Sequence, residues 1–383
     1  MEENSGSSRP QSGPPRKRYR PKKKRGNGPR GNGQGQGQGQ GQGYNQGQGY
    51  NQGQGQGQGQ NRNRNRNRNQ NRNQNQNQNQ RRYRPQPRME QKPKRASVFE
   101  TLEAIQPHKR LSLETTEKEL SMRVMDLLTP IGKGQRGLIV APPRTGKTTL
   151  LQKIASAIHA NHPEVKLIIL LVDERPEEVS DFKIQFRDTP VEVIASNNDM
   201  TPRDHVRVTE EVLDKAKLVA EEGGDAMILF DSLTRMTRAY NHLTRGQGRT
   251  LSGGIDAAAF QGPRSFFGAA RQLDEAGSLT IIGTVLVDTG SRMDQVIFEE
   301  FKGTGNMELH LDRELADRRI FPSFDMIRSG TRREEKLMSE DQLDLIWRLR
   351  RTLADRRPLE GMQALLEQLK KTPSNSAFLE LIG

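Results

Sequence analysis

LIVAPPRTGKTTL, residues 138–150, is the stretch of sequence that decides the fold. The aliphatic run 138–140 predicts a buried strand, the two prolines predict a rigid turn, and 147–150 begins a helical pattern. A strand, loop and helix in this order aim unpaired backbone N–H groups at one point, where the start of the helix already favours an anion. The stretch therefore predicts a phosphate-binding loop of the pattern G-x-x-x-x-G-K-[ST], with Ala141 at the first glycine position.

In this pattern the lysine and the hydroxyl residue have separate tasks. Lys147 is expected to contact the terminal phosphates of a nucleotide, and the Thr148 hydroxyl to hold a magnesium ion. A chance G-K-T in a basic protein remains the alternative interpretation of the motif alone. The surrounding sequence has to decide between them.

Downstream of the loop, aliphatic runs alternate with helical patterns. The predicted strands are 138–141, 165–172, 191–195, 226–231 and 279–287, and the predicted helices include 148–160, 177–186 and 204–221. This alternation predicts an α/β fold with a mainly parallel sheet covered on both faces. The sequence after 332 is helical in pattern, which predicts C-terminal helices with Trp347 in their core.

Two carboxylates follow predicted strands. Glu174 comes just after the strand at 165–172, and Asp231 ends the strand at 226–231. Ligands of parallel sheets bind beyond the carboxyl ends of the strands, so both groups are expected near the phosphate loop. Asp231 suits magnesium binding and Glu174 suits the polarisation of water, although each taken singly could be a helix cap. The phosphate loop after 138–141 and the two carboxylates after 165–172 and 226–231 together favour nucleoside triphosphate hydrolysis.

The charge is concentrated at the N-terminus. The chain of 383 residues has a formal net charge of +14, yet residues 1–95 contain 22 Lys or Arg against three Glu. This segment has no Val, Ile, Leu or Phe and is rich in Arg, Asn, Gln and Gly, which predicts a long disordered, low-complexity basic tail. Its charge and tyrosines favour binding of RNA or single-stranded DNA, and its Gln/Asn tract favours self-association. A solubilising linker is the alternative.

Composition also limits the class of protein. The chain has no Cys, and its six His show no metal-ligand spacing. No apolar run approaches the roughly 18 residues that cross a bilayer, and the N-terminus lacks the apolar segment of a signal peptide. These features predict a cytoplasmic protein without membrane contact.

Several long motifs carry a family resemblance. They are PIGKGQRGLIVAPPRTGKTTLLQKIA (130–155), LLVDERPEEV (170–179), LFDSLTRMTRAYN (229–241), GPRSFFGAAR (262–271), DTGSRMDQVIFEEFKGTGNMELHL (288–311) and RIFPSFDMIRSGTRREE (319–335). In these motifs the chain resembles the Rho family of bacterial transcription termination factors, which are ring-forming RecA-like RNA translocases. The resemblance implies a linker with a short helical segment at 96–128 and a RecA-like P-loop ATPase domain at 129–383, with a C-terminal helical cap at about 336–383. The family also carries Ala141, so this residue no longer counts against the motif.

The resemblance also implies roles for individual residues. An ATP site is implied for Gly132, Lys133, Gly134, Gln135, Arg136, Gly137, Arg144, Thr145, Gly146, Lys147, Thr148, Thr149, Arg175 and Phe321, with Phe321 stacked on adenine. The implied catalytic set is Lys147, Glu174, Asp231, Arg332 and Arg319. Thr148 and Asp231 would hold Mg²⁺, Arg332 would be an arginine finger given by the neighbouring subunit, and Arg319 would sense nucleotide at the ring interface. Arg249 and Arg292 would lie on two loops that grip RNA in the pore of a homohexamer.

The chain departs from the family at three places. Arg144 and Arg292 replace lysines that are common in the family, and the loop 243–251 has its own sequence. We expect residues 1–95 not to form the small RNA-binding β-barrel that usually precedes the linker, because this segment lacks the aliphatic residues that strands require. We expect the tail to serve as an auxiliary RNA-binding and self-association segment.

The expected activity is ATP-dependent translocation of RNA, with RNA polymerase as a further partner. A rotary ATP synthase subunit shares the PIGKGQRG segment and is the alternative enzyme. A non-enzymatic RNA-binding condensate scaffold is the other alternative.

Overall fold

The computed structural model describes residues 98–246 and 248–383, so the predicted tail and its proposed roles lie outside the described residues. The strands are β1 (Ala104–Ile105), β2 (Arg110–Leu111), β3 (Ile131–Gly132), β4 (Arg136–Ala141), β5 (Lys166–Glu174), β6 (Glu192–Asn197), β7 (Asp225–Asp231), β8 (Arg271–Leu273), β9 (Ser278–Leu286), β10 (Met307–His310) and β11 (Gly330–Thr331). The helices are α1 (Leu120–Leu128), α2 (Lys147–Asn161), α3 (Pro176–Gln185), α4 (Pro202–Glu221), α5 (Leu233–Thr244), α6 (Gln261–Gly268), α7 (Arg292–Lys302), α8 (Arg313–Asp317), α9 (Glu340–Ala354), α10 (Pro358–Leu369) and α11 (Asn375–Ile382).

The main sheet has nine strands, seven of them in the order β11-β10-β4-β9-β7-β5-β6. The six strands from β10 to β6 are parallel, whereas β11 pairs antiparallel with β10, β8 pairs antiparallel with β9, and β1 pairs antiparallel with β8. The α/β fold with a mainly parallel sheet is confirmed. Because β4, β9, β7 and β5 are consecutive neighbours, the residues that follow their carboxyl ends meet at one edge.

Each central strand contributes to two hydrophobic layers. Successive side chains of a strand point to opposite faces. Ile139 of β4 accordingly packs in one layer with Leu151 of α2 and Leu365 of α10, whereas Leu138 packs in the other with Val212 of α4. All five side chains are buried. Burial on both faces explains why the strands appear in the sequence as continuous aliphatic runs rather than as alternating patterns.

The segment that precedes the phosphate-loop strand packs against the rest of the described chain. Phe99 is fully buried, and the Arg271 guanidinium lies 5.0 Å from the centre of its ring. Arg123 of α1 is also fully buried and donates to the carbonyl oxygens of Leu369, at 2.8 Å, and Thr372, at 2.7 Å. These contacts attach the segment both to the sheet and to the C-terminal helices.

The helices predicted after residue 332 are present as α9, α10 and α11. The expectation that Trp347 is a core residue is wrong, because its side chain is 44% exposed and its indole Nε1 donates to Glu334 Oε1 at 2.9 Å. The buried face of α9 is formed instead by Leu343, Ile346 and Leu353. Within 98–246 and 248–383, no helix has the length and apolar character needed to cross a membrane.

Candidate active site

Three of the predicted residues meet at the carboxyl edge of the sheet. Lys147, the first residue of α2, donates through Nζ to Asp231 Oδ2 at the end of β7. The same Nζ lies 3.7 Å from Glu174 Oε1 at the end of β5. Thr284 of β9 donates its hydroxyl to Asp231 Oδ1 at 2.7 Å, which fixes the second oxygen of this carboxylate. One lysine thus bridges two buried carboxylates where a phosphate loop ends.

Local backbone geometry directs Glu174 into this cluster. The pairing of β5 with β6 shifts register between Val172 and Glu174, and Asp173 adopts a left-handed conformation with φ 57°. A bulge of this kind re-aims the following side chain. Glu174 is consequently only 3% exposed, although it is the last residue of its strand.

Burial changes the protonation of Glu174. Desolvation, and secondly the negative charge of Asp231, raise the pKa of Glu174 to about 7. Lys147 and Arg235, whose Nε lies 3.2 Å from Glu174 Oε1, oppose this shift without cancelling it. A carboxyl group with a pKa near neutrality can both accept and release a proton at physiological pH, which is the property required of a general base.

The phosphate loop is held by its own hydrogen bonds. Thr145 Oγ1 donates to the Pro142 carbonyl at 2.8 Å, and Ser323 Oγ donates to the Thr145 carbonyl at 2.9 Å. Gly146 caps α2 with φ 87°, a conformation that other residues adopt only under strain. Arg144 is exposed and also has a positive φ, of 67°. The N-terminus of α2 therefore opens towards solvent in a fixed loop, as anion binding requires.

A cavity of about 180 Å³ adjoins this loop. Phe321 forms part of its wall, is 47% exposed, and would lie 3.5 Å from a Cβ placed on Gly146. The ring therefore has a free face beside the phosphate loop, as stacking on a planar base requires. Other residues that line the cavity are Thr145, Thr149, Leu150, Lys153 and Phe324.

The donor set fits magnesium. Thr148 and Asp231 supply hydroxyl and carboxylate oxygens, and Mg²⁺ is usually bound through one or two such groups together with water and substrate phosphates. Thr148 donates to Glu178 Oε2 at 3.3 Å, so a further carboxylate oxygen lies beside it. Among the described residues no cluster of three or more His, Cys, Asp or Glu forms a metal site. A magnesium ion here would take its remaining ligands from phosphate and water.

The structure does not bring the segment 132–137 to the phosphate loop. Gly132, Lys133, Gly134, Gln135, Arg136 and Gly137 lie at or before the amino end of β4, and the strand residues that follow Gly137 place them about 13 Å or more from the start of the loop. Lys133 Nζ binds Asp225 Oδ2 at 2.6 Å, at the amino end of β7. Gln135 Nε2 binds Asn306 Oδ1 at 2.6 Å. These side chains are engaged at the opposite edge of the sheet.

Arg332 also lies at the amino edge. Its backbone N–H donates to the Asn306 carbonyl at 2.9 Å, and the preceding Thr331 pairs with Met307, which pairs in turn with Gly137 of β4. Within one subunit, Arg332 therefore follows β11 at the amino edge, whereas Lys147 lies beyond the carboxyl end of β4, two strands away. A site that uses both residues needs two copies of the chain.

The remaining predicted arginines are exposed. Arg175 is the N-cap of α3, directly after Glu174, and Arg319 lies two residues before Phe321 with φ 60°. Arg249 lies in the loop after α5, and Arg292 is the first residue of α7, after β9. Arg175 directly follows the carboxyl end of β5, whereas the other three lie further along the chain from the strands that precede them.

Sequence reasoning missed Arg235 and Glu178. Arg235 lies four residues after Asp231, in the first turn of α5, and its Nη1 donates to Asp173 Oδ2 at 3.1 Å. The signal that could have identified Arg235 was its position one helical turn after Asp231, the carboxylate at the end of β7. Glu178 could have been recognised as the second acidic residue in the first turn of α3.

The fold and these residues define a P-loop nucleotide-binding domain of the type found in ATP synthases and related ATPases. Residues 121–331 match the family described as ATP synthase alpha/beta family, nucleotide-binding domain. A type III secretion system ATPase of pathogenic bacteria superposes with a TM-score of 0.61 at 19% identity, over 73% of this chain and 85% of that one. An ATP synthase subunit of Nanoarcheaum equitans superposes with a TM-score of 0.58 at 20% identity, over 66% and 62%. These two likenesses concern the fold alone.

Sequence relatives narrow the assignment. The chain is 56% identical over 290 residues to transcription termination factor Rho of Aquifex aeolicus, and 52% identical over 285 residues to that of Bacillus subtilis. It is 53% identical to Rho of Streptosporangium roseum, over 74% of this chain and 73% of that protein. The chain belongs to the transcription termination factor Rho family. The matches cover 76% and 74% of this chain but 66% of the length of the Aquifex and Bacillus proteins.

Proposed function

We propose that the chain is an ATP-dependent RNA translocase that terminates transcription by pulling nascent RNA through a homohexameric ring. The observation that carries this proposal is the separation of Arg332 from Lys147, Glu174 and Asp231 across the sheet. A chain of the Rho family with a nucleotide site on one edge and a finger on the other is suited to a ring, in which each subunit completes its neighbour's site.

In the proposed site, Lys147 and the backbone N–H groups of the loop bind the phosphates of ATP, and Phe321 stacks on its base. Thr148 and Asp231 would hold Mg²⁺, which would neutralise phosphate charge when bound. Glu174 accepts the proton of the attacking water, and Arg332 of the neighbouring subunit stabilises the charge that develops on the transferred phosphoryl group. Arg175 contacts the nucleotide, and Arg319 senses the nucleotide at the interface with the neighbouring subunit. Arg144 lies in the exposed part of the phosphate loop.

RNA is proposed to be the polymer that moves. Arg249 and Arg292 are exposed arginines on two loops that approach each other at Gly253, and arginine binds phosphate oxygens through several donors at once. The basic segment 1–95 would add salt-sensitive contacts to RNA and promote self-association. RNA polymerase as a partner and the cytoplasm as the location follow from this proposal.

RNA-stimulated hydrolysis tests the proposed activity. Purified full-length protein should hydrolyse ATP faster when a cytidine homopolymer is added, and Lys147→Ala should abolish the reaction because it removes the phosphate-binding cation. Hydrolysis that does not respond to RNA would contradict the translocase proposal. A scaffold without enzymatic activity would show no difference between the wild type and Lys147→Ala.

Mixed rings test the shared site. Lys147→Ala and Arg332→Ala subunits should each be inactive alone, but a co-assembled mixture should hydrolyse ATP in a single turnover, since roughly a quarter of random interfaces pair an intact lysine with an intact arginine. Single-turnover conditions avoid any need for cooperation around the ring. An inactive mixture with confirmed co-assembly would show that Arg332 does not act on the neighbour.

A further inference from the structure

Helix α5 begins two residues after Asp231 and connects the site to both arginine-bearing loops. Its first contact is with the site itself. Arg235 lies 3.2 Å from Glu174 Oε1 and 3.1 Å from Asp173 Oδ2. Ser232 Oγ accepts the Arg235 backbone N–H at 3.2 Å, which fixes the start of the helix beside the carboxylates. A displacement of Glu174 or Asp173 therefore acts directly on the first turn of α5.

The second contact lies one turn further along α5. Arg238 binds Asp294 in a bidentate pair, with Nε–Oδ1 at 3.0 Å and Nη2–Oδ2 at 2.5 Å. Asp294 is 1% exposed and also accepts the Thr289 hydroxyl at 2.7 Å. It belongs to the first turn of α7, two residues after Arg292. Bidentate, charge-assisted pairs fix orientation as well as distance, so Arg238 determines how the 288–292 loop is presented.

The third contact is made by Asn241, another turn along. Its Oδ1 accepts the Asp256 backbone N–H at 2.7 Å. Asp256 Oδ2 accepts the N–H of Gly248 at 2.9 Å, and the Arg249 carbonyl accepts the Ala257 N–H at 3.1 Å. The loop that carries Arg249 is thus folded back onto α5 through Asp256.

The two loops also touch each other. A Cβ placed on Gly253 would lie 2.8 Å from the Met293 nitrogen and 2.9 Å from the Arg292 carbonyl carbon. Gly253 has φ 79°, so both its conformation and its surroundings require glycine. This close approach means that neither loop can shift far without the other.

We infer that α5 is a coupling rod, in which Arg238 and Asn241 are positioning residues that transmit the state of the nucleotide site to the loops of Arg249 and Arg292. Arg235, Arg238 and Asn241 lie at intervals of three residues, so one side of a single helix contacts the site and both loops. The inference rests on the proposed function, and it assigns the link between nucleotide and RNA to residues that contact neither ligand.

A second arginine–carboxylate pair that reaches α7 serves as the control for the Arg238–Asp294 pair. Arg264 of α6 binds Glu300 of α7 at 2.5 Å, and its side chain is 52% exposed, compared with 42% for Arg238. The Arg264–Glu300 pair reaches α7 from α6 instead of α5. Arg264→Gln therefore removes an ion pair from α7 without cutting the proposed link, and its carboxylate, Glu300, is 27% exposed compared with 1% for Asp294.

The test compares Arg238→Gln with Arg264→Gln in full-length protein. Arg238→Gln should lower the stimulation of ATP hydrolysis by a cytidine homopolymer about tenfold, whereas Arg264→Gln should change it by less than about twofold. The affinity for fluorescently labelled cytidine homopolymer, measured with and without a non-hydrolysable ATP analogue, should depend on the analogue in the wild type and Arg264→Gln but not in Arg238→Gln. A merely structural role would lower the melting temperature without removing this dependence selectively.

Arg238→Lys covers the case in which Arg238→Gln fails to fold. It keeps the charge but loses the bidentate geometry, so stimulation should fall below that of the wild type. The inference is overturned if either folded variant keeps wild-type stimulation and analogue dependence, or if Arg264→Gln loses them equally. A wild type that RNA does not stimulate would overturn the proposed function as well, which separates the two failures.

Discussion

Replacing Glu174 by Gln should stabilise the nucleotide-free protein in a pH-dependent manner. Glu174 is 3% exposed, and burial with the charge of Asp231 raises its pKa from 4.5 to about 7. Since the folded-state pKa is raised, the stability that this group contributes is fully present below pH 4.5 and is lost as the pH rises through 7. Gln has nearly the same shape and does not titrate, so it keeps the neutral form at every pH.

The magnitude follows from the size of the shift. A pKa unit corresponds to about 1.4 kcal/mol, so ionisation of Glu174 at pH 8 costs the folded state about 3 kcal/mol. At pH 5 the wild type has lost less than about 1 kcal/mol, because this pH is only slightly above the unfolded-state pKa of 4.5 and few unfolded chains gain from ionising Glu174. The advantage of Glu174→Gln in free energy of unfolding should therefore grow by about 2.5 kcal/mol between pH 5 and pH 8.

Urea unfolding at matched protein concentration, with a chelator and without nucleotide, measures this difference. Glu211→Gln is the control, since Glu211 is 63% exposed in an i,i+4 pair with Arg207 and should change stability by less than about 0.5 kcal/mol at both pH values. An advantage of Glu174→Gln that is the same at pH 5 and pH 8 would refute the reasoning. So would a net destabilisation at pH 8, because the attraction of Lys147 and Arg235 would then outweigh burial.

Three further outcomes are expected. Arg123→Met should lower the free energy of unfolding by about 3 kcal/mol, measured in urea, because it leaves buried carbonyl oxygens at the C-terminal helices without a donor. Phe321→Ala should raise the KM for ATP about tenfold at nearly constant kcat, the value of one stacked base, and an unchanged KM would contradict the stacking. Trp347, the single tryptophan, lines the same cavity as Arg332, so its emission should shift to shorter wavelength when an ATP analogue draws the neighbouring subunit onto Arg332, but not in Arg332→Ala.

The positions of Glu174 and Asp231 were predictable because buried parallel strands appear in the sequence as continuous aliphatic runs. The run at 165–172 has no polar residue after Lys166, so the end of the strand and the carboxylate that follows are easy to place. The ends of parallel strands share an edge, which brought Glu174 and Asp231 to Lys147 without any tertiary information. Local pattern was sufficient here because the sheet itself supplies the geometry.

Other features depend on contacts that no local pattern contains. The family resemblance implied an ATP-site role for 132–137, but within one subunit an extended strand carries this segment to the far edge of the sheet. The four residues of β10 gave too short a signal to be predicted as a strand. Trp347 follows the apolar period of α9, yet its neighbour across space is the carboxylate of Glu334. The Arg238–Asp294 pair joins residues that are 56 positions apart.

The position of Arg332 relative to α5 gives the proposed ring an order in which one subunit acts on the next. Through Arg235 and Arg238, the RNA loops of a subunit would respond to nucleotide bound at that subunit's own Lys147 and Asp231. The finger on the opposite edge, in contrast, would complete the site of a neighbour. The loops of each subunit would then respond to its own nucleotide, and its Arg332 would promote hydrolysis in the next subunit. Hydrolysis of ATP in successive subunits around the ring would thus require only the two edges of one sheet and the helix that follows Asp231.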